Sequence, residues 1–431
     1  MKTVAFLPVK GNSERIPSKN MALIDGKPLF LHTLEKLCSC DFLDEIYLDS
    51  ESDEILNYAA HLPYKPLKRN ANLATNKTDG HQMFYNEVSQ VDADLYVQIL
   101  CTSPFIKPST IKKGIDTLLA NPQYDSAVLV KKDKQYLWQN GQPLYDKNHV
   151  PNSVDLPDTI IETMGLYIVR RDCAHREKKR FGNSCFLLEA SPIEAIDINF
   201  PEDIALAEIV QKGLRATEIA KFRTLAKAFN SSIFSDILDE LKIGGIIKGL
   251  KPNLSTAKIL GRANTLKIRK LQDGEDYRKI YTALDTYSKI TDGEIILVEN
   301  EIADYAYFGE LNANLAVRSG AIAAIIGGVT RDATEVKSLG LPVFSAGYCC
   351  SDVRGRAAMD AHNIPITING VNIAPGDLIF ADINGIAVIP QKHEKIVLNK
   401  AINAISKEKS ILNKIYSGVD GFSIYNEEGA F

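Results

Sequence analysis

The first half of the chain alternates short apolar strands with helical segments, and this alternation restricts the fold more than any other feature. The pattern predicts helices at 29–37, 53–60 and 110–119, and strands at 4–8, 45–48, 95–100 and 126–130. Strands separated by helices favour a mostly parallel sheet covered on both faces. Ligands bind such sheets beyond the carboxyl ends of the strands. The loops after strands 4–8 and 95–100 are therefore predicted to form a site.

The pattern changes in the second half. Helices are predicted over 201–229 and 232–241, and from Lys258 short strands follow one another with glycine turns and few helices between them. These strands are predicted at 258–268, 294–298, 322–326, 342–345, 365–368, 378–381 and 386–389. A chain of 431 residues is too long for one ordinary core. We predict two domains, 1–215 and 216–431.

Composition excludes several classes of function. The formal net charge is −4, which gives no reason to expect nucleic acid or an anionic membrane as a partner. No apolar run reaches the length of a membrane span, and the first residues lack the pattern of a signal peptide. The 7 cysteines are scattered without zinc-ligand spacing. We expect a cytoplasmic protein with reduced thiols that binds neither nucleic acid nor membrane.

The loop after the first strand holds Gly11 between Lys10, Arg15 and Lys19. Backbone N–H groups and cationic side chains that point to one place can hold a polyanion such as a triphosphate. The spacing is not that of a Walker loop. The alternative is an ordinary strand–loop–helix connection whose charges are solvated.

With later segments included, residues 1–210 resemble the CMP-sialic acid and CMP-ulosonic acid synthetases, which are cytidylyltransferases. The matching segments are Lys10-Gly11-Asn12-Ser13 to Lys19-Asn20, Gly26-Lys27-Pro28-Leu29, Tyr47-Leu48-Asp49-Ser50, Arg69 with Leu73-Ala74, Thr102-Ser103-Pro104, and Ile196-Asp197-Ile198-Asn199 with Pro201-Glu202-Asp203. The resemblance implies a Rossmann-like nucleotide-diphospho-sugar transferase domain with a mostly parallel sheet. It implies that CTP is bound by Lys10, Gly11, Asn12, Ser13, Arg15, Lys19, Asn20, Arg69 and Ser103.

In that family an acceptor oxygen attacks the α-phosphorus of CTP and pyrophosphate leaves, so charge neutralisation and alignment dominate the chemistry. The resemblance implies catalytic roles for Lys19 and Asp197. Asp197 would hold Mg²⁺ or another divalent cation, with Asn199 as a second ligand where the family has aspartate. The alternative for Asp197 is a helix-capping acid.

The acceptor pocket departs from the family pattern. Leu100 and Ile106 stand where the family has glutamine and arginine around its T-S-P segment. These changes disfavour sialic acid itself. We expect an acidic acceptor of another kind, either a different ulosonic acid or a related phosphonate or phosphate.

Residues 222–395 resemble the RraA-like family, which includes the 4-hydroxy-4-methyl-2-oxoglutarate aldolases and the RraA regulators. The matching segments are Ser235–Asp239, Gly261-Arg262-Ala263, Asp292–Ile295, Gly309-Glu310-Leu311, Gly327–Glu335, Leu341–Phe344, Pro375–Ile379 and Asp382–Gly385. The resemblance implies a β/β/α swivelling domain that assembles as a homo-oligomer, a trimer or hexamer, with sites between subunits.

A 2-keto acid site is implied around Arg331 and Asp332. Arg331 could bind the substrate carboxylate through two hydrogen bonds, and Asp332 could hold Mg²⁺, which would stabilise an enolate. Gly309, Glu310, Leu311 and Asn312 would supply further contacts from the start of a helix. For Arg331 and Asp332 the alternative is a surface ion pair.

Two interpretations of the whole chain stay open. The first is a bifunctional enzyme, a CTP-dependent cytidylyltransferase fused to an RraA-like, Mg²⁺-dependent 2-keto acid aldolase or decarboxylase. The second is a cytidylyltransferase whose RraA-like part is a non-catalytic oligomerisation or regulatory module. The acid at Glu310 and the Arg331-Asp332 pair favour the first.

Overall fold

The computed structural model of the protein describes residues 1–11, 16–60, 62–75 and 78–429. By their internal contacts these residues form two units, Met1–Lys212 and Gly213–Phe431. Each unit contains a sheet with helices, which confirms the mixed α/β class. Among the described helices, none combines the length and apolar character needed to cross a membrane.

The N-terminal unit begins with a buried strand and ends within a long helix. Its strands are β1 (Thr3–Pro8), β2 (Leu23–Ile24), β3 (Lys27–Pro28), β4 (Glu45–Ser50), β5 (Lys65–Lys68), β6 (Leu95–Ile99), β7 (Ser126–Asp133), β8 (Trp138–Gln139), β9 (Gln142–Pro143), β10 (Thr159–Arg170) and β11 (Cys185–Glu189). Its helices are α1 (Leu29–Cys38), α2 (Asp53–Tyr58), α3 (Gly80–Val88), α4 (Pro108–Ala120), α5 (Arg171–Glu177) and the first part of α6 (Pro201–Ala228), with 3₁₀ turns at Lys19–Met21, Ala71–Ala74 and Ser153–Asp155.

Seven of these strands form one sheet in the order β11-β7-β10-β6-β1-β4-β5. Strand β10 runs antiparallel to β6 and β7, and the other pairs are parallel. The carboxyl ends of β1, β4, β6 and β7 therefore share one edge, and β10 begins at that same edge. Strands β1 and β6 are fully buried because helices cover both faces. This edge carries the loops predicted to bind a ligand.

The C-terminal unit is richer in strands. These are β12 (Ile246–Ile247), β13 (Lys251–Pro252), β14 (Lys258–Lys270), β15 (Glu294–Asn300), β16 (Ala323–Ile326), β17 (Val329–Thr330), β18 (Val343–Ser345), β19 (Gly347–Tyr348), β20 (Ala357–His362), β21 (Ile366–Ile368), β22 (Val371–Ile373), β23 (Leu378–Asp382) and β24 (Ile386–Ile389). Its helices are the rest of α6, α7 (Ser231–Glu240), α8 (Glu310–Arg318), α9 (Ala333–Ser338), α10 (Glu394–Tyr416) and α11 (Gly421–Glu428), with 3₁₀ segments at Tyr277–Lys289 and Gln391–His393.

Strand β14 is the centre of the second sheet. It pairs in parallel with β15 and antiparallel with β23 and β20, and β15, β16 and β18 continue in parallel. Few helices separate the strands after Lys258, as expected: α8 and α9 are the α-helices described between β14 and β24, whereas α10 and α11 follow β24, where no helix was predicted. In these helices polar residues separate the apolar ones, so the sequence indicates the helices less clearly than it indicates the apolar strands. The segments after β15 and β16 carry the predicted keto-acid residues.

Candidate active sites

The loop after β1 is tied to neighbouring strands by main-chain and side-chain contacts. Lys10 Nζ donates to the Thr75 carbonyl at 3.0 Å. The Gly11 N–H donates to Glu51 Oε1 at 2.7 Å, and a Cβ at Gly11 would lie 3.0 Å from the Cβ of Ser52. These contacts hold the start of the loop beside the ends of β4 and β5. The predicted ligands Asn12, Ser13 and Arg15 lie outside the described residues.

Asn20 links the far end of this loop to β6. It is buried, and its Nδ2 donates to the Lys10 carbonyl at 2.9 Å. The Cys101 thiol, just after β6, donates to Asn20 Oδ1 at 3.3 Å. Asn20 therefore connects the main chain at Lys10 to the residue position just after β6.

Lys19 meets the segment around Asp197. Its Nζ donates to the Ile198 carbonyl at 2.8 Å, and the Ile198 N–H donates to the Thr102 carbonyl at 2.9 Å. Asn199 Nδ2 donates to Asp197 Oδ2 at 2.5 Å. Lys19 and Ile198, which are 179 positions apart in the sequence, thus meet at one edge of the sheet, and Asp197 lies beside them.

Cys101 marks the point where these segments converge. Burial raises the pKa of its thiol to about 12, and the charges of Lys19, Asp197 and Arg69 also act on it. The carboxylate that accepts N–H groups at the start of α6 is Asp203, whose Oδ2 receives the N–H of Asn199 at 2.8 Å. The helix-capping alternative for Asp197 is therefore disfavoured.

Ser103 is held close to β10. Its side chain is buried, and its Oγ has no hydrogen-bond partner among the residues that the structure describes. A Cβ on Gly165 would lie 2.6 Å from that Oγ. Glycine is needed at 165 to admit the serine side chain.

Arg69 is buried in an ion pair that the sequence did not reveal. Its Nε lies 3.1 and 3.0 Å from the two carboxylate oxygens of Asp49, and its Nη2 donates to the Asp49 carbonyl at 2.7 Å. Its Nη1 lies 3.9 Å from Glu51 Oε2 and makes no hydrogen bond within the described part of the chain. Nη1 is the Arg69 atom with which a phosphate oxygen could still pair.

A second buried acid adjoins this pair. Burial and the neighbouring Asp49 carboxylate raise the pKa of Glu87 well above its ordinary value. Gln98 on β6 donates from Nε2 to Glu87. We call Asp49, Arg69, Glu87 and Gln98 the buried polar cluster. Asp49 lies within the Tyr47–Ser50 match, but nothing local in the sequence marks Glu87.

The donor set suits Mg²⁺ at Asp197. In the described ranges, no group of three or more histidine, cysteine, aspartate or glutamate side chains is placed so that it could by itself hold a metal ion. Mg²⁺ commonly takes one or two protein carboxylates and completes its shell with phosphate oxygens and water. The half-buried Asp197 carboxylate, with the Asn199 amide beside it, fits that use.

In the C-terminal unit, Gly309 and Asp332 approach each other closely. Gly309 precedes α8, and a Cβ there would lie 2.4 Å from Asp332 Oδ2 and 3.0 Å from Arg331 Cγ. The Glu310 N–H donates to the same Asp332 oxygen at 3.0 Å. The contact places a carboxylate at the positive end of α8. It also brings together the two motifs predicted to form the keto-acid site.

Asp332 adopts a left-handed backbone conformation, with φ of 54°. This region is unfavourable for most residues other than glycine. Its carboxylate is half-exposed and does not cap α9. The strained backbone turns a carboxylate towards α8, where it is accessible to a cation.

Arg331 is half-exposed and paired with acids. Its N–H donates to the Phe308 carbonyl at 3.0 Å, which joins the two segments. Its Nη1 lies 2.8 Å from Asp352 Oδ2, and its Nε lies 3.6 Å from Asp332 Oδ2. The sequence analysis missed Asp352, which follows the adjacent cysteines Cys349 and Cys350.

The remaining predicted contacts are placed differently. Leu311 is 76% exposed on α8, and Glu310 is exposed beside it. Asn312 Nδ2 donates to the Tyr307 carbonyl at 2.7 Å, which anchors the start of α8. Asn312 is thus engaged by main chain, whereas Glu310 and Leu311 face solvent.

Comparison with known proteins agrees with both resemblances. Residues 4–178 match the Cytidylyltransferase family model, and residues 234–388 match the Aldolase/RraA family model. The residues that carried the two resemblances in the sequence lie largely within these ranges. Each resemblance is therefore confirmed over its own part of the chain.

Individual relatives cover one part of the chain at a time. The chain is 34% identical to protein DlpA of Legionella pneumophila over 191 residues, 44% of this chain and 31% of that protein. It is 26% identical to a putative 4-hydroxy-4-methyl-2-oxoglutarate aldolase of Halalkalibacterium halodurans over 211 residues, 49% of this chain and 94% of that protein. It is 26% identical to a pseudaminic acid cytidylyltransferase of Campylobacter jejuni over 227 residues, 49% of this chain and 97% of that protein.

The chain thus spans about a third of the first of these relatives and nearly all of the other two. No single relative among these three aligns with more than half of it. The chain thus joins a segment that matches the Cytidylyltransferase family model, residues 4–178, to a segment that matches the Aldolase/RraA family model, residues 234–388.

Proposed function

We propose that the N-terminal unit transfers CMP from CTP to an acidic acceptor, a sialic- or ulosonic-type sugar acid or a related phosphonate or phosphate. The observation that carries this proposal is the convergence of Lys19, Asn20 and Asp197 around Cys101 at the carboxyl edge of the sheet. The relative that is a pseudaminic acid cytidylyltransferase supports an acidic sugar as acceptor.

Each residue would have a separate task. Lys10 and Lys19 would place their ammonium groups beside the triphosphate, and Asn20 would hold the main chain at Lys10 in position. Ser103 presents its hydroxyl to the nucleotide, and Arg69 offers Nη1. Mg²⁺ held by Asp197 and Asn199 would, when bound, neutralise phosphate charge that develops as pyrophosphate leaves.

Pyrophosphate release tests this proposal. The full chain is mixed with CTP, Mg²⁺ and a panel of N-acetylneuraminic, pseudaminic, legionaminic and 3-deoxy-octulosonic acids, together with a phosphonate and a phosphate monoester. We expect release with at least one acid, and a loss of roughly 10²–10³ in kcat for Lys19→Met because a cation at the developing charge is removed. Lys112→Met, at an exposed cation on α4, is the matched control. Absence of release with every acceptor contradicts the proposal.

We further propose that the C-terminal unit is a Mg²⁺-dependent 2-keto acid aldolase or decarboxylase. The contact of Gly309 with Asp332 beside Arg331 supports it, because it places a guanidinium and a carboxylate at the start of α8. Arg331 would bind the substrate carboxylate, and Asp332 would hold the cation that polarises the keto oxygen. The relative that is a putative 4-hydroxy-4-methyl-2-oxoglutarate aldolase supports this reaction class.

A non-catalytic oligomerisation or regulatory module is the second candidate. The 2.8 Å pairing of Arg331 Nη1 with Asp352 favours it, because a guanidinium held by an acid must be released before it binds substrate. Pyruvate formation from 4-hydroxy-4-methyl-2-oxoglutarate decides between them. For the aldolase we expect pyruvate from the full chain, none from Arg331→Ala, and activity in Arg318→Ala, at an exposed arginine on α8.

We propose that the chain forms a homo-oligomer, a trimer or hexamer, through its RraA-like part. Light scattering after gel filtration measures the assembly directly. An unchanged mass for Arg331→Ala, together with lost pyruvate formation, would separate catalysis from assembly. A monomeric mass for the unaltered chain contradicts the proposed assembly.

A further inference from the structure

Arg180 is a buried arginine that makes no ion pair with a described acid; its charge adds only a small part, after the Gln82 and His81 N–H groups, to the lowered pKa of the Asp79 carboxyl. Arg180 follows α5 and is 4% exposed. It makes no ion pair with any residue that the structure describes, and its Nε likewise has no hydrogen-bond partner among them. Burial of an unpaired cation is costly, and pairing with an anion offsets much of that cost. The side chain therefore has the chemistry of an unfilled anion site.

The guanidinium is held rigidly. Its central carbon lies 5.0 Å from the centroid of the Tyr167 ring. A Cβ on Gly80, the first residue of α3, would lie 2.2 Å from Arg180 Nη1. The Arg180 N–H donates to His81 Nδ1 at 3.2 Å, and the His81 ring meets the edge of Phe181. A cation fixed in this way loses little further freedom when it binds a ligand.

The position of Arg180 is beside the edge that carries the proposed transfer site. Tyr167 on β10 pairs with Gln98 on β6, one residue before the last residue of that strand. The Tyr167 hydroxyl donates to Glu162 and lies 3.2 Å from Met164 Sδ. Residue 165 follows and packs against Ser103. In the sheet order, β6 separates this side from the loop after β1, where the triphosphate would bind.

We propose that Arg180 binds the carboxylate of the acidic acceptor in the N-terminal unit. The inference rests on the proposed cytidylyl transfer and identifies the group that recognises the acceptor's charge. The planar guanidinium can donate two parallel hydrogen bonds to one carboxylate. The lysines of the β1 loop lie on the other side of β6, so the two anions of the reaction have separate cations.

The test separates acceptor binding from nucleotide binding. Pyrophosphate release is measured while the acceptor is varied at saturating CTP, and then while CTP is varied. For Arg180→Met we expect an acceptor KM roughly 10- to 100-fold higher, the usual cost of losing a charged hydrogen-bond pair, and a CTP KM within about twofold of the unaltered chain. Arg176→Met, at an exposed arginine paired with Glu177 on the same helix, is the matched control and should leave both constants unchanged.

Gly80→Ala gives an independent arm, because it keeps the charge and displaces the guanidinium. It should raise the acceptor KM as Arg180→Met does, and it carries the test if Arg180→Met does not fold. An unchanged acceptor KM in a folded variant overturns the proposal, and so does a rise confined to the CTP KM, which would assign Arg180 to the triphosphate.

The two proposals fail in different ways. If the unaltered chain releases no pyrophosphate with any acid, the transfer proposal fails, and the same acids are titrated calorimetrically into the unaltered and Arg180→Met chains. Binding that is weakened by Arg180→Met then supports the carboxylate site. Equal binding by both chains, or no binding by either, overturns it.

Discussion

Arg69→Met removes the cation from the buried polar cluster and should strongly destabilise the N-terminal unit. Arg69 and Asp49 both have side chains with 0% exposure, and they share four contacts of 3.1 Å or less. Removing one partner of a buried pair leaves an uncompensated charge, which costs about 3–5 kcal/mol. We expect the free energy of unfolding of this unit to fall by that amount at pH 8.

Hydrogen exchange read by mass spectrometry is the suitable assay, because it reports each unit separately in the full chain. The relevant peptides cover β1, β4 and β6, which are buried at the centre of the sheet. Arg171→Met is the matched control. Arg171 pairs with Asp92 at 2.7 Å, but the two side chains are 47% and 75% exposed, so this change should cost less than about 1 kcal/mol.

The same reasoning predicts a dependence on pH. Burial raises the pKa of Glu87, and the Arg69 charge partly opposes that rise, so without Arg69 the pKa of Glu87 rises further and the cost of ionising it in the native state grows as the pH rises. The defect of Arg69→Met should therefore be smaller at pH 5 than at pH 8. A defect below about 1 kcal/mol at pH 8, or one equal at both pH values, would refute the idea of a cation that compensates buried acids.

Three further predictions follow from single contacts. Burial and Asp49 raise the pKa of Glu87, so the native state still holds the Glu87 proton above about pH 4.5, where the unfolded chain releases it. The contribution of Glu87 to the free energy of unfolding therefore decreases as the pH rises. Glu87→Gln should match the unaltered chain near pH 4 and exceed its stability at pH 8 in urea titrations. Gly309→Ala should abolish pyruvate formation by displacing the Asp332 carboxylate. Gly165→Ala should lower pyrophosphate release, because its Cβ displaces the Ser103 hydroxyl.

Controls for the glycine variants come from glycines with open surroundings. Gly213 and Gly421 have nothing within 4 Å of an added Cβ and no positive φ. Gly213→Ala and Gly421→Ala should leave both activities unchanged. Full activity in Gly309→Ala or Gly165→Ala would contradict the corresponding prediction, because the displaced Asp332 or Ser103 side chain would then not be needed for the reaction.

A Glu87→Gln variant that is less stable than the unaltered chain at pH 8 would contradict the prediction for Glu87, because the native state would then need that carboxyl in its charged form.

Much of the fold was predictable because its strands are short apolar runs bounded by turn residues. The predicted strands at 4–8 and 258–268 correspond to β1 and β14, and the helix predicted at 29–37 corresponds to α1. Strand β10 was missed because polar residues such as Glu162 interrupt its first half, where its side chains are exposed. Helix α10 was missed because its apolar residues are widely spaced among charges.

Some residues of the candidate sites could be predicted from the sequence, and others could not. Lys19 and Asp197 could be found because each lies in a recognisable local segment. Glu87 and Arg180 could not, because their significance arises from burial beside residues far along the chain. A buried charge looks like a solvated one in sequence, so tertiary packing alone reveals it.

The reversed direction of β10 has a consequence for how acceptor choice could change. Because β7 ends at the ligand edge and β10 begins there, the whole connection 134–158, with β8 and β9, leaves from and returns to that edge. Its Trp138 and Val154 are exposed rather than packed in the core. Insertions, deletions or recombination in this connection would alter the surroundings of the proposed acceptor site without shifting any strand register. New acceptor specificities could therefore arise there while the nucleotide end of the site stays intact.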